Sequence, residues 1–444
     1  GHGLRRRGAR LVSASGPAAD AASSAAGAAP AAPPAAGAVP AAAGAVPAAA
    51  GASPAAGAAP AAPSPAAPPR AYIMAAGLGT RLYPLTGLTS KPMVPILNRP
   101  VMEHLLNLLR RHGIREAAAN LHYHPDKIRG YFGDGSAFGV DLRYNLERQL
   151  LGTAGGASAF REFLGDGAFV VLSGDGLTDI DLTAFVAAHR RSGGIATLAV
   201  KRVDDPSLYG VVVHDASGRI TGFQEKPAAA DALSDLCNCG IYAFEPAIFE
   251  HVPADVFVDW AKDVFPALLA ADIPFHCWPL ESYWNDVGNI EQYRLGNFDA
   301  LLGRVELDVP GRQIQPRVWV GQGTQIDLGV RIEPPVLIGA GCLVESEAEL
   351  IGPLIVGDGC VIEHGAVLEG TINWDGVKMG RDSRLAGSIL GRHVVVHHEA
   401  VVHEDAVLGD RTDVAAHALV PSGARFEPRS CVGSDGARGD APYT

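Results

Sequence analysis

Cysteine is sparse in this 444-residue chain: there are six, at positions 237, 239, 277, 342, 360 and 431. That excludes a disulfide-stapled secreted scaffold, which is shorter and denser in cysteine. Cys237 and Cys239 have no second pair at zinc-ligand spacing, so the six read as ordinary thiols of a reducing compartment, and the expected location is cytoplasmic. No run of 18 strongly apolar residues exists, so no transmembrane helix is expected. Residues 1–70 lack large side chains to bury. They hold 31 Ala, 12 Pro and 9 Gly and are expected to be a disordered extension. The Arg-rich start (Leu4-Arg5-Arg6-Arg7) also suits a transit segment, but the plain extension is preferred. This stretch carries five Arg against Asp20, so the chain's net charge of −12 leaves −16 on the remaining 374 residues. So acidic a body argues against non-specific binding to nucleic acid or anionic lipid.

Order is expected from Ala71. Residues 71–305 alternate short apolar runs with amphipathic stretches. Ala71-Tyr72-Ile73-Met74 ends in a Gly-rich turn, and Ala168 to Leu172 ends in Ser173-Gly174-Asp175. Val101 to His112 carries its apolar residues on one helix face. Strands alternating with helices predict an α/β, Rossmann-like domain with a mostly parallel sheet. Ligands of such sheets bind at the carboxyl ends of strands. From 318 to 422 aliphatic residues recur every six positions, from Val320 through Ile326, Ile332, Ile338, Val344, Leu350, Val356 and Ile362 to Leu368. The register breaks over 374–389, then resumes from Leu390 to Val420. A period of six with aliphatic anchors predicts a parallel β-helix of hexapeptide repeats, each short strand giving one inward side chain. Residues 423–444 are expected to be a flexible tail.

Three places carry chemistry. Gly77-Leu78-Gly79-Thr80-Arg81 follows a strand but is neither a dinucleotide fingerprint nor a Walker loop. Its backbone N–H groups can still face phosphate oxygens. Arg81 and Lys91 add cations, the first able to bond a phosphate twice. Asp175, at a strand's carboxyl end, suits Mg²⁺, which takes one or two carboxylates plus phosphate oxygens; a helix cap is the plainer reading. Asp286 is a candidate second carboxylate. Glu225-Lys226-Pro227 alone reads as a solvated surface pair.

Taken in order, the motifs resemble those of sugar-nucleotide pyrophosphorylases. They are Gly77-x-Gly-Thr-Arg-Leu-x-Pro-Leu-Thr86, Lys91-Pro, Leu151-Gly-Thr-Ala-Gly155, Gly174-Asp175, Tyr209-Gly210, Glu225-Lys226-Pro, Asn238-x-Gly240 and Asp286-Val-Gly288. The likeness runs from about Ala71 to about Val420, because members often carry a C-terminal left-handed β-helix. It is greatest to bacterial mannose-1-phosphate guanylyltransferases, through Lys91 to Pro100 and Tyr-Trp-x-Asp-Val-Gly. The resemblance implies transfer of a nucleotide from an NTP, here GTP, to mannose 1-phosphate with release of pyrophosphate. It implies that Ala76, Gly77, Gly79, Thr80 and Arg81 hold the triphosphate, Lys91 steadies the α-phosphate, and Asp175 and Asp286 bind Mg²⁺. Lys226 would take the sugar's phosphate, Glu225, Asn238 and Gly210 its ring, and Gly152 and Thr153 the base.

Pyrimidine-using relatives have a Gln five residues before the base-loop Gly. Here that place is Glu147, with Arg148 and Gln149 as neighbouring candidates. A carboxylate accepts bonds without donating, so Glu147 would suit the paired donors of guanine. Two departures, Ala76 for Gly and Cys239 for Thr, remove no charge. Competing readings are a non-catalytic regulator of the same fold, opposed by the intact charged set, and an acyl-transferring β-helix using His364, His393, His397, His398 or His403. A third is UTP or dTTP with glucose 1-phosphate. The β-helix is assigned to assembly or regulation, and a homo-oligomer is expected.

Overall fold

The computed structural model describes residues 68–434 and the strand Arg438–Gly439. The expected extension up to 67, and residues 435–437 and 440–444 of the expected tail, lie outside the described residues. Arg70, assigned to the extension, is part of the folded domain. Its carbonyl accepts from Val170 N, and its guanidinium meets Glu116 at 3.1 Å and Asp166 at 2.7 Å.

The first domain is built on a nine-stranded sheet. Ala71–Met74 lies between Glu116–Leu121 and Phe169–Ser173 and runs parallel to both, and Asp141–Leu146 extends the parallel run. The apolar strand 169–173 is buried on both faces, which is why it shows no alternation. Beyond it the sheet turns antiparallel through Leu236–Phe244, which also pairs with Ala196–Arg202. Helices Val101–Arg111 and Leu182–Ser192 bury their apolar sides in one core cluster with the parallel strands.

The second domain is a parallel β-helix. Its strands form three sheets, in which the strands from Val318–Val320 to Cys431–Val432 pair in parallel with their equivalents one coil on, while Arg312–Gln315 and Arg438–Gly439 pair antiparallel at the two ends. Inward positions from Ile338 to Leu368 are closed to solvent at intervals of six. The break expected at 374–389 is not an interruption of the coil. Register pairs Val356 with Asn373, Ile362 with Met379, Leu368 with Leu385, and Asn373 with Leu390. Two corners are one residue shorter than the rest, 368–373 and 385–390. Gly370 and Gly387 turn them at φ 61° and 49°, a conformation a side chain disfavours. A polar residue, Asn373, also occupies one inward place, and hydropathy loses the period there. The coils also run further than 422. Phe426 and Val432 fill inward positions in Arg425–Phe426 and Cys431–Val432, so 423–434 is not a tail.

One face of the β-helix is not free for partners. Leu337, Ile355, Ile372, Trp374, Ile389 and Val407 share a buried cluster with Leu82, Leu85, Val94, Ile96, Leu177 and Val287 of the first domain. Each aliphatic side chain so buried contributes roughly 1.5–3 kcal/mol. Polar bonds fix the alignment. Trp374 Nε1 donates to the Tyr293 hydroxyl at 2.7 Å, and Asn98 Nδ2 to the Val356 carbonyl at 2.7 Å.

Candidate active site

The parallel strands place their carboxyl ends on one side, and the charged candidates gather there. Residues after Met74 form the open turn Gly77–Thr80, with Gly79 at φ 67° and Thr86 Oγ1 donating to its carbonyl at 2.9 Å. Arg81 and Lys91 leave short 3₁₀ turns at Thr80–Leu82 and Lys91–Met93 and line a cleft of about 310 Å³. Asp175 enters the same cleft from the loop after Phe169–Ser173, and Asp286 from the loop after Trp284–Asn285.

Lys91 Nζ meets the Asp175 carboxylate and the backbone of Asp286. It pairs with Asp175 Oδ2 and lies 3.4 Å from the Asp286 carbonyl oxygen. Burial works to raise the Asp175 carboxyl. The Lys91 ammonium and the Ser173 hydroxyl, 2.6 Å away, overcome it and hold the group below the ordinary carboxylate range. Asp286 is displaced the other way, by burial first, with the Asp175 charge adding to it and Lys91 and Arg81 opposing. Both acids therefore crowd one spot, and a further cation there would relieve Asp286. Two carboxylates beside a Gly-rich turn with open backbone donors are a donor set that suits Mg²⁺. Among the described residues no group of three or more His, Cys, Asp or Glu side chains is arranged for a metal, so the remaining ligands would be phosphate oxygens.

The far end of the cleft is built by the antiparallel strands. Gly210 must be bare, because a Cβ would lie 2.7 Å from Phe223 Cζ and 3.1 Å from Glu225 Oε2. Burial raises the Glu225 carboxyl, with Asp259 adding to that and Lys226 opposing. Lys226 sits at φ 48° with its ammonium 3.9 Å from Glu225. Asn238 Nδ2 donates to the Tyr242 hydroxyl at 2.9 Å, and its Oδ1 accepts from Gly240 N at 3.1 Å.

The family model described as "Nucleotidyl transferase" matches residues 70–301, more than half of the chain. The chain belongs to the nucleotidyl transferase family. A second model, "GMPPB C-terminal domain", matches residues 332–432 of the β-helix. Among curated relatives, a UTP–glucose-1-phosphate uridylyltransferase of Synechocystis is 41% identical over 57% of this chain and 69% of its own length. A mannose-1-phosphate guanylyltransferase of Mycobacterium tuberculosis is 36% identical over 52% of this chain and 65% of itself, so the chain spans slightly under two thirds of that relative. A rice protein named "Probable mannose-1-phosphate guanylyltransferase 3" is 31% identical over 84% of this chain and 94% of itself. The solved structure of HddC from Yersinia pseudotuberculosis aligns at 24% identity and TM-score 0.46, over 51% of this chain and 97% of that one.

Not every sequence candidate of this nucleotidyl transferase reaches the cleft. Glu147 does not line it; it is 3% exposed and already engaged. Its Oε1 accepts from Asn120 Nδ2 at 2.6 Å and its Oε2 from Leu151 N at 3.0 Å. Asn120 Oδ1 in turn accepts from Ala75 N at 2.8 Å. The carboxylate thus ties the loop after Ala71–Met74 to the 147–151 loop. It is committed to backbone positioning, and the base-reading role given to it fails on this geometry. Gly156 covers the cluster: a Cβ there would meet Glu147 Oε1 at 2.4 Å and Asn120 Nδ2 at 2.5 Å.

Gly152 packs against the Val258 carbonyl, 2.4 Å from where its Cβ would be, so its role is close approach. Thr153 does line the cleft, but its hydroxyl donates to Asp259 Oδ2 at 2.9 Å and accepts from Trp260 N at 2.9 Å. It is therefore tied to Asp259 and Trp260 at the end of the cleft built by the antiparallel strands. Asp259 and Trp260 line the cleft and were missed in the sequence. They belong to none of the motifs read in the sequence, and long-range bonds bring them in: Thr153 to Asp259 and to Trp260 N, and Ala154 N and Gly155 N to the Val258 carbonyl. On the β-helix, His364, His397 and His417 face acids, and His398 faces His417. His397 lies 3.3 Å from Asp413, and the His398 and His417 rings are 4.9 Å apart.

Proposed function

We propose that this chain joins a sugar 1-phosphate to an NTP and releases pyrophosphate, with mannose 1-phosphate and GTP as its pair. The observation that carries the pair is the likeness extending through both domains, to the rice guanylyltransferase over 94% of that protein and to the GMPPB C-terminal model. Cleft geometry supports the chemistry. A phosphate oxygen of the sugar 1-phosphate attacks the α-phosphorus of the NTP. The new P–O bond forms as the bond from the α-phosphorus to the bridging oxygen breaks, and pyrophosphate leaves with that electron pair.

Such a transfer depends on alignment and charge neutralisation more than on covalent help. The Gly77–Thr80 turn offers backbone donors to the triphosphate, and Arg81 adds its fork. Lys91, paired with Asp175 in the cleft, faces the reacting phosphates. Lys226 binds the sugar's phosphate, while Glu225, Asn238 and Asp259 take sugar hydroxyls as acceptors. Asp175 and Asp286 would hold Mg²⁺. When bound, that ion would withdraw charge from the phosphates.

A second reading, UTP with glucose 1-phosphate, is favoured by the 41% identity to the Synechocystis uridylyltransferase. Comparison of kcat/KM for the two pairs, by pyrophosphate release, decides between them. A larger value for UTP and glucose 1-phosphate overturns the pair and keeps the transfer. Cytoplasmic location and a homo-oligomeric state belong to the same reading; the former is supported by six free cysteines and no membrane-crossing helix among the described residues.

A further inference from the structure

The final coil of the β-helix touches the segment that follows the Gly-rich turn of the other domain. Pro428, at the corner between Arg425–Phe426 and Cys431–Val432, stands against Gly87. A Cβ at Gly87 would lie 2.6 Å from Pro428 Cγ and 3.1 Å from its Cδ. No left-handed φ requires glycine at 87; the atoms nearest a Cβ there belong to this ring, with the Pro84 carbonyl oxygen next at 3.2 Å. Gly409 of the preceding coil packs against the same proline; a Cβ there would lie 2.6 Å from Pro428 N and 2.8 Å from its Cδ.

Gly87 closes a turn through Gly87 N to the Pro84 carbonyl at 3.1 Å. Its neighbour Thr86 donates to the Gly79 carbonyl at 2.9 Å. Gly79 is in turn so close to Lys91 and Thr86 that a Cβ would meet Lys91 Cβ and Thr86 Cγ2 at 3.1 Å. Pro428 therefore reaches the Gly-rich turn in three contacts, through Gly87 and Thr86 to Gly79, and Lys91 in a fourth. Leu82 and Leu85 of the same loop are already held in the apolar cluster shared with the β-helix.

We propose that Pro428 is a positioning residue for the triphosphate turn, acting through Gly87, so that the β-helix sets NTP binding. The inference rests on the nucleotidyl-transfer reading, in which the Gly-rich turn holds the NTP. Three variants of the full chain test it: Pro428→Ala, Gly87→Ala and the double variant, each with separate KM values for NTP and sugar 1-phosphate. Gly87→Ala drives a methyl into the ring and should raise KM for the NTP about tenfold, leaving that for the sugar 1-phosphate within about twofold. Pro428→Ala should raise KM for the NTP about threefold. In the double variant the ring carbons are gone, so KM for the NTP should return to within about threefold of the parent, a non-additive result. Leu419→Ser, on an exposed residue of the preceding coil, should behave as the parent. Additive effects, an equal rise in both KM values, or the same shift in Leu419→Ser would overturn the proposal. If Gly87→Ala does not fold, GTP affinity of Pro428→Ala by titration calorimetry carries the test, and an unchanged Kd overturns it. If the parent releases no pyrophosphate with any pair, the transfer reading fails separately, and GTP Kd values of the same variants still decide the Pro428 contact.

Discussion

Replacing Glu147 by Gln should cost stability and spare no nucleotide in particular. Asn120 and Glu147 form a ladder with a backbone donor at each end, Ala75 N on Asn120 Oδ1 and Leu151 N on Glu147 Oε2. Between them Asn120 Nδ2 donates to Glu147 Oε1. Two end donors and one internal amide require Glu147 to accept twice, which only an ionised carboxylate does. The glutamine side chain would accept once and point an amino group at a donor, and turning Asn120 over merely moves the conflict to Ala75 N. A buried bond to a charged group lost, with a donor left facing a donor, costs roughly 2–3 kcal/mol. Urea unfolding should show that loss, and kcat/KM should fall for GTP and UTP alike, because the loop is displaced. The paired change Asn120→Asp with Glu147→Gln restores the order of donors and acceptors and should recover more than half of the lost stability. A selective loss of GTP use with unchanged unfolding would refute this reasoning and return Glu147 to the base.

Three further outcomes follow from the cleft and the core. Asp175→Asn removes the charge that Lys91 meets and a carboxylate that would hold Mg²⁺; kcat should fall about 10²–10³-fold, and a fall below tenfold would contradict the role. Lys226→Met should raise KM for the sugar 1-phosphate at least about tenfold while that for the NTP stays within about twofold, measured by varying each substrate in turn. His104 and His189 are both lowered to about 4, chiefly by burial, so the folded protein keeps them neutral. Below the unfolded value of about 6.5 the unfolded chain binds protons that the folded one refuses. The stability they contribute is thus whole above that pH and is lost as pH falls toward 4. At pH 5 the loss is about 2 kcal/mol for each. His104→Gln should flatten the urea-unfolding profile between pH 7.5 and 5 by about that amount, and an unchanged slope would count against the shift.

What was legible in the sequence followed from local rules. The strand 169–173 announced itself as a continuous apolar run, and Asp175 followed from its end. A coil that repeats every six residues showed in the aliphatic spacing. Legibility stopped where one residue changed the count. The shortened corners at Gly370 and Gly387 look like lost register, because hydropathy records side chains and not the backbone that turns between them. The end of the β-helix was set at 422 because Phe426 and Val432 stand among polar and small neighbours that dilute the period. Counting also placed Glu147 at the position of a base reader, but counting along a loop does not say which way a side chain faces; Asn120, 27 residues earlier, decides that. Asp259 and Trp260 had no local signature at all, since their place in the cleft depends on contacts with Thr153 made in three dimensions.

The most direct test of the central claim follows the α-phosphate. The full chain would be incubated with Mg²⁺, mannose 1-phosphate and GTP labelled at the α-phosphorus, and the products separated. Attack at the α-phosphorus predicts label in GDP-mannose, with one unlabelled pyrophosphate for each. Label left in GDP or in GTP, with no sugar nucleotide formed from folded protein, would contradict the account.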